Sequence, residues 1–233
     1  MELTIKGITL KKTQYRDNTA IVTLFTPTKG LLSVTAYGIH SMKNGVSSAI
    51  QTFTFGEFVL SEKAGKYTLK SAEVKESFGR LYSAYEDLCA VSRAAQVAMH
   101  IFCETSDKMN EAFELLYYTF SFMAYSDSNK DDLYLYFLLH ALRISGQCPA
   151  VTHCAVCGKL LFEEKSLSFS AKNGGALCSN CKSDSVYISK LALEAMRRML
   201  LIGFDEMNKV VLTPQLRHEL IRRLEAYYVF WYA

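Results

Sequence analysis

The chain has 233 residues, half of them apolar, with 14 Tyr and 14 Phe. This is enough for one large domain or two small ones and too apolar for a disordered chain. The net charge is only +3, no apolar run approaches the ~18 residues of a membrane span, and the opening Met1-Glu2-Leu3-Thr4-Ile5-Lys6 lacks the apolar stretch of an export signal.

Residues 1–75 read as short strands. Leu3 and Ile5, then Ile8 and Leu10, alternate with a phase slip at Gly7 that predicts a bulge there. Thr19–Thr26 is β-branched and apolar on both faces, the mark of a central strand. Pro27-Thr28-Lys29-Gly30 predicts a turn and Leu31–Tyr37 the returning strand. Gly38–Ser48 reads as a polar loop, and Phe53–Ser61 and Tyr67–Val74 complete five strands. Five strands in this length suit a small Greek-key barrel, either an OB-fold or an SH3-like barrel.

From residue 78 the apolar period becomes 3.6. Leu81, Tyr85, Leu88, Val91, Ala95, Ala98 and Phe102 mark one long helix. A second, capped by Asp107, carries Ala112, Phe113, Leu116, Phe120 and Met123. A third, capped by Asp127 or Ser128, runs through Leu133, Phe137 and Leu142 to Gly146, with Asp131-Asp132 as its solvated first turn. Ser189 caps a fourth helix ending at Gly203, and Thr213-Pro214 opens a last one. Its aromatic end, Tyr227 to Tyr232, predicts docking in a core. The expected architecture is α+β: an OB-like barrel over residues 1–77 and a helical domain over 78–233 with an insertion at about 151–185.

That insertion holds Cys154-x2-Cys157-x20-Cys178-x2-Cys181. Two residues between thiolates let both sulfurs face one point. Two such turns give the tetrahedral four-sulfur site that Zn²⁺ prefers. A pair of disulfides or four idle thiols are the alternatives, and His153 is a possible substitute ligand. Four thiolates close the coordination sphere, so the predicted role is one structural Zn²⁺ bracing a ribbon too small for its own core. The metal-type cysteines and the absent export signal point to a reducing cytoplasm. Cys89 and Cys103 read as small core residues, and Cys148, off the ribbon's spacing, as a core thiol with a spare ligand as the alternative.

Charge is uneven along the chain. Residues 1–80 carry 11 basic and 6 acidic residues, net +5, whereas residues 81–147 carry 4 and 9, net −5. A basic barrel hints at a polyanion partner. Lysines spaced along it, with Tyr15, Tyr37, Phe53 and Phe55 as candidate stacking platforms, fit single-strand binding. The ordinary reading of any one of them is a solvated lysine or a core phenylalanine. His40, His100, His140, His153 and His218 lack a partner carboxylate and nucleophile at telling spacing. There is no Walker A loop, G-x-G-x-x-G, G-x-S-x-G or H-E-x-x-H, so no enzymatic chemistry is predicted.

The order of basic barrel, helical body and four-cysteine ribbon resembles the bacterial RecO family of recombination mediators and DNA repair proteins. Ile21-Val22-Thr23-Leu24-Phe25-Thr26 leading to Gly30 is similar to that family's I-V-x-L-x-T-x-x-x-G. Tyr37-Gly38-Ile39-His40-Ser41-Met42-Lys43 is similar to K-G-x-[RK]-x-x-[KR], with Tyr37 and His40 in place of the usual basic residues. Phe137 to Pro149 is similar to F-E-L-x-L-L-x-x-x-G-x-x-P, with Leu138 and His140 at the glutamate and arginine positions common there. Phe169-Ser170 and Gly174-Gly175-Ala176-Leu177-Cys178 to Cys181 are similar to F-S-x-x-x-G-G-x-x-C-x-x-C.

The resemblance implies a non-enzymatic DNA-binding protein. Such a protein binds single- and double-stranded DNA and anneals complementary strands. With RecR it promotes RecA loading onto strands coated by single-stranded-DNA-binding protein, whose acidic C-terminal tail it also binds. By position, the implied phosphate contacts are Lys11, Lys12, Arg16, Lys29, His40 and Lys43, with Tyr37 for stacking. The competing reading is a zinc-ribbon adaptor for proteins or transcription factors that binds no DNA directly.

Overall fold

A computed structural model describes residues 1–39, 44–82, 84–103 and 106–232, and of Arg16, Asn44 and Gly45 the backbone alone. The chain divides into two compact units, Met1–Tyr125 and Ser126–Ala233.

Unit one opens with five strands: β1 (Glu2–Arg16), β2 (Thr19–Thr26), β3 (Gly30–Tyr37), β4 (Thr54–Lys63) and β5 (Lys66–Ser77). They close in the order β1-β2-β3-β5-β4. All neighbours are antiparallel except β3 and β5, which meet in parallel at Val34–Tyr67 and Thr35–Thr68. This is the five-stranded Greek-key closure of an OB-like barrel. Strict alternation fills it: Val22, Leu24, Leu32, Val34, Phe58 and Leu60 point inward and are buried. Helix α1 (Asn44–Ala49) lies between β3 and β4, within the stretch expected to be loop. Six residues are too few to show a helical period.

The bulge is not at Gly7. Register against β4 is unbroken from Glu2 to Thr9, and the slip falls against β2 between Thr9 and Lys11. Alternation fails near Gly7 because the outer face is also buried. Phe25, paired with Ile8, meets Phe102 and Phe113 at ring separations of 5.8 and 6.1 Å. These rings come from the end of α2 (Tyr85–Ile101) and from α3 (Met109–Tyr125). Gly7 instead serves close approach, since a Cβ there would lie 3.2 Å from the Phe25 carbonyl oxygen. Phe53 and Phe55 belong to the same packing, edge-on to Phe120 at 5.5 Å and to Tyr117 at 5.2 Å. They are not stacking platforms. Before α3, Ser106 rather than Asp107 accepts a backbone N–H, that of Lys108.

Unit two is built on α4 (Lys130–Ile144), twelve of whose fifteen residues are buried. Its N-cap is Asn129, whose side chain accepts from the Asp131 and Asp132 N–H groups, not Asp127 or Ser128. Asp132 is no solvated first-turn residue: it is 1% exposed. Arg217 grips it with two hydrogen bonds of 2.6 and 3.1 Å, and the Leu212 N–H donates to it at 3.1 Å. Gly146, at φ 84°, ends the helix, and the Gln147 N–H returns to the Leu142 carbonyl. Against α4 lie α5 (Lys190–Leu201), capped by Ser189 as expected, and α6 (Pro214–Tyr232). The aromatic end of α6 is not docked as a whole. Tyr227 is buried, while Phe230 and Trp231 are exposed.

His140, in the middle of α4, stacks on Tyr136 at 4.2 Å and donates through Nε2 to the Met199 carbonyl oxygen. Its Nδ1 meets no partner among the described residues. Burial first, then the neighbouring Arg143 charge, holds its pKa down at about 4 against the Met199 hydrogen bond. No described helix is long and apolar enough to cross a membrane.

Candidate metal centre and nucleic-acid surface

The ribbon sits between α4 and α5. Its sheet is minimal: β6 (Ser168–Ser170) at the centre, β7 (Gly175–Leu177) and β8 (Val186–Tyr187) at the edges. Each cysteine pair occupies a tight turn. The Gly158 N–H closes the first onto the Cys154 carbonyl at 2.9 Å, and Cys181 closes the second onto Cys178 at 3.1 Å. Gly158 has φ 73°, a conformation glycine adopts without a Cβ clash.

The four Sγ atoms lie within 4.8 Å of one another. Cys157 and Cys178 are 3.7 Å apart, near the edge of a tetrahedron drawn with a Zn–S bond of ~2.3 Å. None of the four is in a disulfide, so that alternative is removed. Their chemistry fits a soft divalent cation. Burial opposes ionisation of Cys154, but the N–H groups of Cys157, Cys178 and Val156 carry its pKa down to about 6. Cys181, sharing hydrogen bonds with Cys178 first, is pushed up to about 12. Four thiols at one point ionise together only when a cation is there to hold them. The donors are all protein sulfur, which leaves no place for a reactive water. His153 bonds Thr152 through Nδ1 at 2.8 Å and is outside the cluster.

A second layer went unseen in the sequence. Glu164 is buried, bound by Lys159 at 2.5 Å and by the Ser179 hydroxyl at 2.9 Å. Lys159 follows the first cysteine turn and Ser179 lies inside the second, so one carboxylate ties the two together. These partners, Lys159 first, hold its pKa near 2. Arg197 of α5 secures the module to the helices. It donates to the Val151 carbonyl at 2.8 Å and lies over the Phe162 ring at 4.4 Å.

The barrel residues expected to meet DNA do not form one cluster. Lys11 is exposed and pairs with Thr23, on the outward side of β2. Lys12 is half-buried, beside inward-facing Val22. Arg16 ends β1 opposite Thr19, which on its other side pairs with exposed Tyr37. Lys29 is at the opposite end of the β2–β3 hairpin, where Thr26 pairs with Gly30. Seven residues of strand from Thr19, that is ~23 Å away. His40 and Lys43 lie outside the described residues.

A shallow groove of about 270 Å³ runs along α5 in unit two. Its lining combines apolar Leu191, Met199 and Val211 with Arg198, which pairs with Glu194 of the same groove, and Lys209, which pairs with Glu206.

A closed OB-like barrel followed by a helical unit that carries a four-cysteine ribbon defines the class of protein. Two sequence families match, described as Recombination protein O N terminal, over residues 1–78, and Recombination protein O C terminal, over residues 82–230. The chain belongs to the RecO family of DNA repair proteins, non-enzymatic mediators of recombination. Similar proteins, each named DNA repair protein RecO, include one from Alkaliphilus metalliredigens, 27% identical over 97% of this chain and 92% of the relative. One from Bacillus pumilus is 28% identical over 96% and 86%, and one from Listeria monocytogenes 26% over 96% and 87%.

Proposed function

We propose that the protein is a cytoplasmic recombination mediator. It binds single- and double-stranded DNA on the barrel, anneals complementary strands and, with RecR, promotes RecA loading on strands coated by single-stranded-DNA-binding protein. Membership of both RecO families across the whole chain carries this reading. Annealing without ATP is physically simple. Cationic side chains such as Lys11 screen phosphate repulsion and leave base edges free to pair. The acidic tail of the coating protein would dock in the groove along α5, where apolar Leu191 and Val211 lie beside Arg198 and Lys209, displacing the carboxylates of Glu194 and Glu206 that now pair with those cations. Zn²⁺ held by Cys154, Cys157, Cys178 and Cys181 braces the ribbon and takes part in no chemical step.

The test is annealing of two complementary labelled oligonucleotides over a salt series, beside a Lys11/Lys12/Lys43→Glu variant. Fast annealing that falls with salt and with charge reversal is expected. Absence of annealing and of strand binding at low salt sinks the reading and favours the protein adaptor.

A further inference from the structure

Most of the barrel's described large apolar side chains are concealed. Among its described residues only Met1, at the chain's start, and Tyr15 and Tyr37 leave large hydrophobic groups exposed, the tyrosines by 61 and 63%. Both tyrosines lie at one end of the barrel and flank the same residue of β2. Thr19 pairs with Tyr37 on one side and with Arg16 on the other. Two strand spacings separate β1 from β3, on the order of 10 Å.

The backbone around them is not passive. Register slips between Gln14, opposite Ala20, and Arg16, opposite Thr19, so Tyr15 is the extra residue of a bulge. A bulge forfeits regular ladder pairing and re-aims a side chain. Here it leaves Tyr15 largely exposed, which burial alone would not favour. Beyond β3, the Gly38 N–H donates to the Asn18 carbonyl at 2.8 Å, tying the residue after Tyr37 to the β1–β2 turn. The neighbouring positions of β2 and β3, Thr19, Ile21 and Thr35, carry no charge.

We infer that Tyr15 and Tyr37 form a two-ring stacking platform by which the barrel tells single strands from duplex. This rests on the DNA-binding reading above and goes beyond it. A ring can take the face of an unpaired base, whereas the faces in a duplex are already stacked. Stacking leaves the Watson–Crick edge open, so a held strand remains able to pair. Once paired, its bases lose the rings, and the annealed product is released while the next single strand is retained. Phosphate contacts give no such discrimination, since both forms carry them.

The experiment is fluorescence anisotropy of the full chain with labelled oligo-dT, an abasic oligomer of equal length, and a duplex, at two salt concentrations. Tyr15→Ala/Tyr37→Ala is compared with Tyr15→Phe/Tyr37→Phe, and thermal melting checks the fold of each. The expected result is a loss of tenfold or more for oligo-dT in the alanine variant, from the ~1–3 kcal/mol of one base–aromatic stack. Duplex affinity changes less than twofold, the salt slope is unchanged, and phenylalanine keeps wild-type binding. Wild type also binds the abasic oligomer at least tenfold more weakly than oligo-dT. Equal loss for single strand and duplex, no loss for oligo-dT, or abasic binding as tight as oligo-dT overturns the platform with DNA binding left standing. Failure of the wild type to bind any of the three overturns the DNA-binding reading itself.

Discussion

The barrel and the ribbon are both small β structures, and they become ordered by different means. The barrel fills its interior with alternating Val, Leu, Ile and Phe and closes its ladder on itself. The ribbon's longest strand has three residues, and its buried side chains include few large hydrophobics, chiefly Leu161, Leu167, Phe169 and Leu177. A module of that size buries too little apolar surface to offset the entropy of ordering its chain. Four sulfurs with Glu164 between their turns make up the difference. The barrel should therefore be insensitive to metal, and the ribbon wholly dependent on it.

The largest effect tests that dependence. Cys157→Ser is expected to abolish tight zinc binding, a contribution of about 10–16 kcal/mol in small zinc domains. The ribbon unfolds while the barrel stays folded. Metal content by mass spectrometry and limited proteolysis would show this, and a variant that keeps both zinc and a protease-resistant ribbon contradicts it.

Next come changes to the helical frame that carries the ribbon. Asp132→Ala strands the Arg217 guanidinium without its carboxylate and should cost about 3–5 kcal/mol. Urea unfolding would measure it, and replacing both partners by apolar residues should recover most of the loss. His140 gives the same frame a pH dependence. Its folded pKa of about 4 is below the free value of 6.5, so the unfolded chain binds the proton first. The stabilisation is complete above pH ~6.5 and lost as pH falls toward 4, by ~3 kcal/mol. The groups facing His140 are the Tyr136 and Phe204 rings, the Met199 carbonyl and Arg143. His140→Gln should flatten the difference in urea midpoint between pH 7 and 4.5; an unchanged difference assigns the acid sensitivity elsewhere.

The smallest expected effect is on the barrel. A Cβ at Gly56 would be 2.6 Å from the Glu73 carbonyl oxygen, a backbone atom that cannot swing aside. Gly56→Ala should destabilise the barrel by about 1–3 kcal/mol and leave zinc content untouched. Loss of zinc in that variant would mean that the two modules are not independent.

The sequence was most legible where local chemistry decides structure. The two C-x2-C turns set the four-sulfur centre, Ser189 and Thr213-Pro214 set helix starts, and alternation set the inner barrel face. It was least legible where a distant residue decides. Asp132 looks like a solvated dipole partner until Arg217, 85 residues away, removes it from water. Ile8 and Leu10 imitate a bulge because helices that follow the barrel in the chain cover their outer face. The six aromatic and aliphatic residues ending α6 resemble a docked segment, but only Tyr227 is buried. Nothing local distinguishes Glu164 from its neighbour Glu163; the distinction is made by Lys159 and Ser179 coming together.

The closing seam of the barrel matters for synthesis. β1, β2 and β3 form a meander as soon as they are made, and β4 returns to the far edge of β1. β3 keeps a free edge until β5 arrives, and the two then meet at only two paired positions, Val34–Tyr67 and Thr35–Thr68. A nascent chain cannot close its barrel before residue 68 has left the ribosome. At a few to some twenty residues per second, that leaves seconds in which a strand rich in Leu, Val and Ala offers its backbone to other chains. The hazard of this protein during translation is concentrated on β3, and so is the benefit of any chaperone that binds it there.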